Sequence, residues 1–151
     1  MIDPQLLQAK YEHTYSIVKG QIDGLGHLES VNQPPFGGNC VNWIVGHLVV
    51  ARCNFLMMLD IPSIWDMSIC RRFIPGSDPV TRLEDALAFE TITAAFERTQ
   101  EQLLTALACV PAEKLQVISE EKTIGEHLVF YNAHKAFHAG ELSTLRQMLG
   151  K

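Results

Sequence analysis

The sequence predicts an all-α fold, an antiparallel four-helix bundle with a long connection between its second and third helices. Apolar residues recur at intervals of three and four along four segments, which is the period of one helix face. Helix-opening residues stand at the heads of those segments, where a side-chain oxygen can take up the free N–H groups of the first turn. Stretches rich in proline and glycine separate them, as expected of turns and loops. A chain of 151 residues is the size of one domain and can bury roughly two-thirds of its unfolded surface, so residues 1–151 are read as a single unit.

Asp3 and Pro4 open the first helix, Asp as the cap and Pro in the first turn, where its missing N–H costs nothing. Leu6, Leu7, Tyr11, Tyr15, Ile17, Val18, Ile22, Leu25 and Leu28 form its apolar stripe to about Glu29, with Gly20, Gly24 and Gly26 favouring a bend or early fraying. Residues 32–38 read as a loop, and Asn39 is the expected cap of a second helix reaching about Leu59. His47, Arg52 and Asn54 interrupt its apolar run, which is shorter than the roughly 20 residues of a membrane span; a buried helix is expected and no membrane. Ile61 to Pro79 has no helical period and reads as a long connection, with Trp65 and Phe73 as parts of a lid. Thr81 with Glu84 forms a capping-box pattern that predicts a third helix to about Ala108, and Thr123 with Glu126 predicts a fourth to about Leu149, stopped by Gly150. Four helices of similar length leave no room for a sheet.

The formal net charge of −5 supplies no general attraction to phosphate or anionic lipid, so no nucleic-acid partner is expected. Polar residues interrupt the opening segment, unlike a signal peptide. Cys40, Cys53, Cys70 and Cys109 show no CxxC spacing and fit reduced thiols in a cytoplasmic protein. Cys40 stands at an expected helix start, where a thiol pKa can fall, although a small buried residue is the simpler account. Apolar residues on more than one face of the first and third helices, among them Ile17, Phe89 and Ile92, predict a homodimer.

The histidines carry the chemistry. His134 and His138 are four apart, one turn along the same helix face, a spacing that lets two imidazoles share one metal. Leu128, Tyr131, Leu142, Leu145 and Leu149 lie along that stripe, which turns the pair inward. His47, among Trp43, Ile44, Leu48 and Ala51, also faces inward. Three imidazoles leave positions open for water or substrate, as in catalytic sites, and their ligand type suits nickel, zinc or iron alike. The competing reading is that each is a hydrogen-bonded core histidine. Glu141 is placed to orient a ligand or move a proton, unless it is an exposed partner of Lys135 or Arg146. Tyr131 either donates a hydrogen bond toward a metal-bound species or packs. His127 lies near the cavity mouth, and His13 and His27 fall outside the site.

The segment Asn42-Trp43-Ile44-Val45-Gly46-His47-Leu48, followed in the last helix by His134-Lys135-Ala136-Phe137-His138-Ala139-Gly140-Glu141-Leu142, resembles the DinB-like family, also described as DinB/YfiT-like metalloenzymes. The resemblance spans nearly the whole chain. It implies an up-down-down-up bundle with a divalent metal on His47, His134 and His138. Members with known activity include S-transferases that use a low-molecular-weight thiol, bacillithiol or mycothiol, a mycothiol-dependent maleylpyruvate isomerase, and proteins described as hydrolases. The function so implied is a metal-dependent transferase or hydrolase of a small-molecule substrate. The alternative is a non-enzymatic metal- or ligand-binding bundle acting in stress response or protein interaction.

Overall fold

The computed structural model describes residues 2–151, and they are mostly helical. Helix α1 (Pro4–Ile22) is capped by Asp3, whose carboxylate accepts from the Gln5 N–H, and it buries Leu7, Tyr11, Thr14, Val18 and Ile22 along one side. It ends at Ile22 and not near Glu29, because Gly24 takes a φ of +72°, left-handed backbone that glycine adopts without steric cost. The chain restarts as the single turn α2 (His27–Ser30), where the Glu29 carboxylate accepts from the Gly26 N–H.

Helix α3 (Val41–Met58) starts from Cys40 and not from Asn39, and its residues from Val41 to Cys53 are all buried. Among the described residues it is the one helix long and apolar enough to cross a membrane, and 83% of it lies inside the protein. Its apolar surface on every side is what a helix covered all round by neighbours requires. The long connection follows and contains the short α4 (Met67–Cys70), capped by Asp66. Trp65 and Phe73 are buried within it and belong to the core, where a mobile lid was expected.

The third long helix, α5 (Phe89–Cys109), begins at Phe89 and not at the Thr81 capping pattern. Residues on either side of that pattern are committed elsewhere: Gln33 Nε2 donates to the Val80 carbonyl, Asn42 Nδ2 donates to the Leu87 carbonyl at 2.9 Å, and the Phe89 N–H donates to His27 Nδ1 at 3.3 Å. These contacts override the local signal and leave only a 3₁₀ turn at Leu83–Asp85. The second capping box forms as expected, with the Glu126 N–H donating to Thr123 Oγ1 at 3.2 Å and the Glu126 carboxylate accepting from the Thr123 N–H at 2.8 Å. It opens α6 (Ile124–Met148), which closes beside Gly150 at φ +73°. A sheet was not expected, yet a small antiparallel hairpin pairs Ile118–Ser119 with Lys122–Thr123, its turn using Glu120 at φ +62°.

Helices α1 and α3 each pack against both α5 and α6. The Tyr11 hydroxyl donates to the Leu128 carbonyl at 2.8 Å and Arg146 to the Gln21 carbonyl at 2.9 Å, joining α1 to α6. Gln100 Nε2 donates to the Tyr11 carbonyl at 3.2 Å and Tyr15 stacks on Phe96, joining α1 to α5. Phe89 and Ile92 belong to the core, so of the residues read as an exposed stripe only Ile17 is exposed.

Two basic side chains are buried in this core. Arg52 donates to the Phe96 carbonyl at 2.6 Å and lies over the Phe96 ring. Lys135 donates to the Tyr11 carbonyl at 3.0 Å and lies over the Tyr11 ring. No carboxylate is buried with them among the described residues. Burial, and then the charge of Arg52, pushes the Lys135 ammonium from 10.5 down to about 6. The unfolded chain therefore holds this proton over a pH range in which the folded chain has released it, and the lysine makes stability rise with pH between about 6 and 10. In Lys135→Met that rise is expected to flatten and the urea midpoint at pH 6 to increase; identical pH slopes for the two proteins would contradict the assignment.

Candidate metal centre

Helices α3 and α6 meet where His47 faces His134 and His138. The Nε2 atom of His134 lies 3.2 Å from that of His47 and 3.0 Å from that of His138. The far sides of two rings are fixed. His47 Nδ1 lies 2.7 Å from the Phe73 carbonyl, and His138 Nδ1 lies 2.5 Å from Glu141 Oε2. A carbonyl and a carboxylate can only accept, so both Nδ1 atoms carry the proton and both Nε2 atoms present lone pairs toward His134. At most one proton on His134 Nε2 could be shared between these two acceptors. His134 Nδ1 is buried without a partner among the described residues.

All three rings are held neutral. Burial lowers the pKa of His47, and burial together with the neighbouring rings lowers those of His134 and His138 to about 4. The His47 ring stacks on Trp43 with centroids 4.9 Å apart, which limits its rotation. One ligand atom from each histidine lies within 4.8 Å of the others, and the two short contacts match the order of 3 Å expected between nitrogens bound about 2.0–2.1 Å from one ion. The donor set thus fits a divalent cation: three neutral imidazoles, lone pairs converging, no cysteine in the cluster.

The position of the Phe73 carbonyl depends on Gly46. The Phe73 ring lies directly against Gly46, and a Cβ there would overlap three ring carbons. Glycine inside a helix costs about 1 kcal/mol relative to alanine, and here it admits the ring that brings the carbonyl to His47. From the sequence Phe73 was expected only as part of a lid, and Gly46 was given no role of its own. A glycine directly before a histidine within an apolar helix was the available signal for Gly46, whereas a backbone carbonyl has no residue-type signature.

Glu141 bonds His138, while Lys135 points to Tyr11 and Arg146 to the Gln21 and Asp23 carbonyls. Glu141 thus contacts His138, and the ion pair with Lys135 or Arg146 considered from the sequence is not formed. Tyr131 is half-buried, packs on Phe55 and stands edge-on to His134 with centroids 6.1 Å apart. It borders a cavity of about 260 Å³ that opens at His47 and His134 and is walled by Val50, Ala51, Ile74, Pro75 and Phe130. His127 instead bonds the Ser119 carbonyl at 2.9 Å and pins the hairpin. His27 is half-buried and accepts from the Phe89 N–H, away from the three histidines, while His13 is exposed. Cys40 is fully buried, and burial raises its thiol pKa, the opposite of activation.

A family model described as the DinB superfamily matches residues 12–142. Among solved structures, one described as the conserved protein of locus from Enterococcus faecalis is similar in fold, with a TM-score of 0.76 and 16% identity, covering 100% of this chain and 99% of that one. No curated protein matches the sequence.

Removing a partner that orients a metal-bound histidine typically weakens metal affinity by roughly 10–100-fold. Glu141→Gln is expected to do so by competition with a chromophoric chelator, while Glu141→Ala with an unchanged affinity would refute the orienting contact. Gly46→Ala should weaken metal binding by about tenfold through displacement of Phe73, with circular dichroism still helical; wild-type affinity in that variant would show that the Phe73 carbonyl does not matter.

Proposed function

The chain belongs to the DinB superfamily, and on that premise we propose that it is a metal-dependent enzyme acting on a small molecule by S-transfer or hydrolysis. The observation that carries this reading is the convergence of three neutral imidazole Nε2 atoms beside an accessible cavity. His47, His134 and His138 would hold nickel, zinc or iron, all compatible with imidazole ligands. A bound ion would supply a nucleophile at neutral pH by lowering the pKa of a coordinated thiol or water.

The chain's own residues have distinct parts in this reading. Glu141 accepts the His138 Nδ1 proton and so keeps Nε2 free as a ligand; we assign it a positioning part. The Phe73 carbonyl does the same for His47. Tyr131 lines the cavity, and its hydroxyl is the group proposed to donate a hydrogen bond to the bound substrate. The up-down-down-up arrangement belongs to the same reading. It is supported by Asn42 meeting Leu87 while Arg52 meets Phe96 (α3 with α5), and by Tyr11 meeting Leu128 while Gln21 meets Arg146 (α1 with α6). In each pair the partners follow one another in the same chain order, with Leu87 standing just before α5. A homodimer is proposed as well, with Leu6 and Ile17 as the exposed apolar residues of α1.

Elemental analysis of protein purified without an affinity tag should find near-stoichiometric nickel, zinc or iron in the wild type and none in the His134→Ala, His138→Ala double variant. Thiol-transfer and ester-hydrolysis screens with the metal found are then expected to show activity that the double variant lacks. A wild type that takes up no metal on reconstitution would exclude the reading and leave a helical interaction module.

A further inference from the structure

Resting on the metal-site reading, the geometry points to an uncharged substrate with a compact apolar body, held between α3, α6 and the connection beside His47 and His134. Its walls are Val50 and Ala51 from α3, Ile74 and Pro75 from the connection, and Phe130 and Tyr131 from α6. No Lys, Arg, Asp or Glu lines this cavity among the described residues. Its lining residues with polar side chains, other than the histidines, are Asn54 and Tyr131, both neutral.

Away from the end that would face the ion, a charged substituent entering this space would lose hydration and meet no charged side chain on the walls, a loss that neutral groups avoid. The cavity volume of about 260 Å³ lies just below the usual range of roughly 300–1,000 Å³ for ligand pockets, which limits the occupant to a small molecule. Phe130 and Ile74 are exposed although large and apolar, and their place on the cavity wall gives those exposures a use. The arginines of the connection lie elsewhere: Arg71 and Arg72 border a separate cavity with Asp78 and Asp85, and Arg72 donates to the Asp85 carbonyl. Glu141 faces a third, smaller cavity beside Phe36 and Ile44. The charged side chains nearest these walls are thus not among the lining residues, the Lys122 ammonium over the Phe130 ring included.

The test uses cobalt-substituted protein, whose visible spectrum reports ligands entering the metal's coordination. Benzohydroxamate, with a neutral ring, and succinic monohydroxamate, with a carboxylate, present the same chelating group. Wild type is expected to bind the first at least about tenfold more tightly, since the second places a bare charge against apolar walls. Asn54 is exposed on α3 and lysine is a good helix former, so Asn54→Lys should fold and reverse or cancel that preference. Equal affinities in wild type, or a preference for the carboxylate, would overturn the inference while leaving the metal site standing. Failure to take up cobalt would instead overturn the metal reading. The cavity's preference is then read in metal-free protein from Val50 and Ile74 methyl resonances, which benzamide is expected to shift and succinamate to leave unmoved; the opposite pattern, or no shift by either, overturns the inference.

Discussion

Two hydrogen bonds at the outer nitrogens of His47 and His138 govern the site on which the rest of this structure converges. An imidazole is ambiguous until one nitrogen is committed, and the Phe73 carbonyl and Glu141 carboxylate commit both Nδ1 atoms as donors. The remaining lone pairs then point at a third histidine. In a half-dry interior those lone pairs can share at most one His134 Nε2–H, and an added cation would satisfy all three nitrogens. The histidines resist supplying that cation as a proton, since burial holds their pKa values down.

The fold is arranged to make those two bonds possible. The partner of His138 comes from the next turn of its own helix, where residues three apart are neighbours. The partner of His47 arrives from the long connection, twenty-six positions away in the chain, and depends on Gly46 leaving room for the Phe73 ring. His134 has no such support, and its Nδ1 stays unpaired beside the cavity. The site is therefore asymmetric: two ligands are braced, and the third stands at the open side.

Elsewhere the core contains an unusual electrostatic load. Arg52 and Lys135 are buried with carbonyls and aromatic faces as partners, and α6 turns His134 toward α3 and its neighbour Lys135 toward α1. Successive residues of a helix project about 100° apart, so one helix serves the metal face and the α1 interface with adjacent positions. This explains why Lys135 could not be the partner of Glu141.

By itself the sequence determined whatever is written in local periodicity and residue type. The four long helices, the caps at Asp3 and Thr123, the stop at Gly150 and the three histidines all follow from side chains whose preferences are expressed within a turn or two. Tertiary structure decided what depends on contacts far apart in the chain. The Thr81 capping pattern gave way to the pinning of Val80, Leu87 and Phe89 by Gln33, Asn42 and His27, because two or three long-range hydrogen bonds outweigh one local propensity. Phe89 and Ile92 went inside because α1 and α3 cover them. Which partner Glu141 took, and that a backbone carbonyl from the connection holds His47, arose only when the helices packed, since no residue type announces where a carbonyl will point.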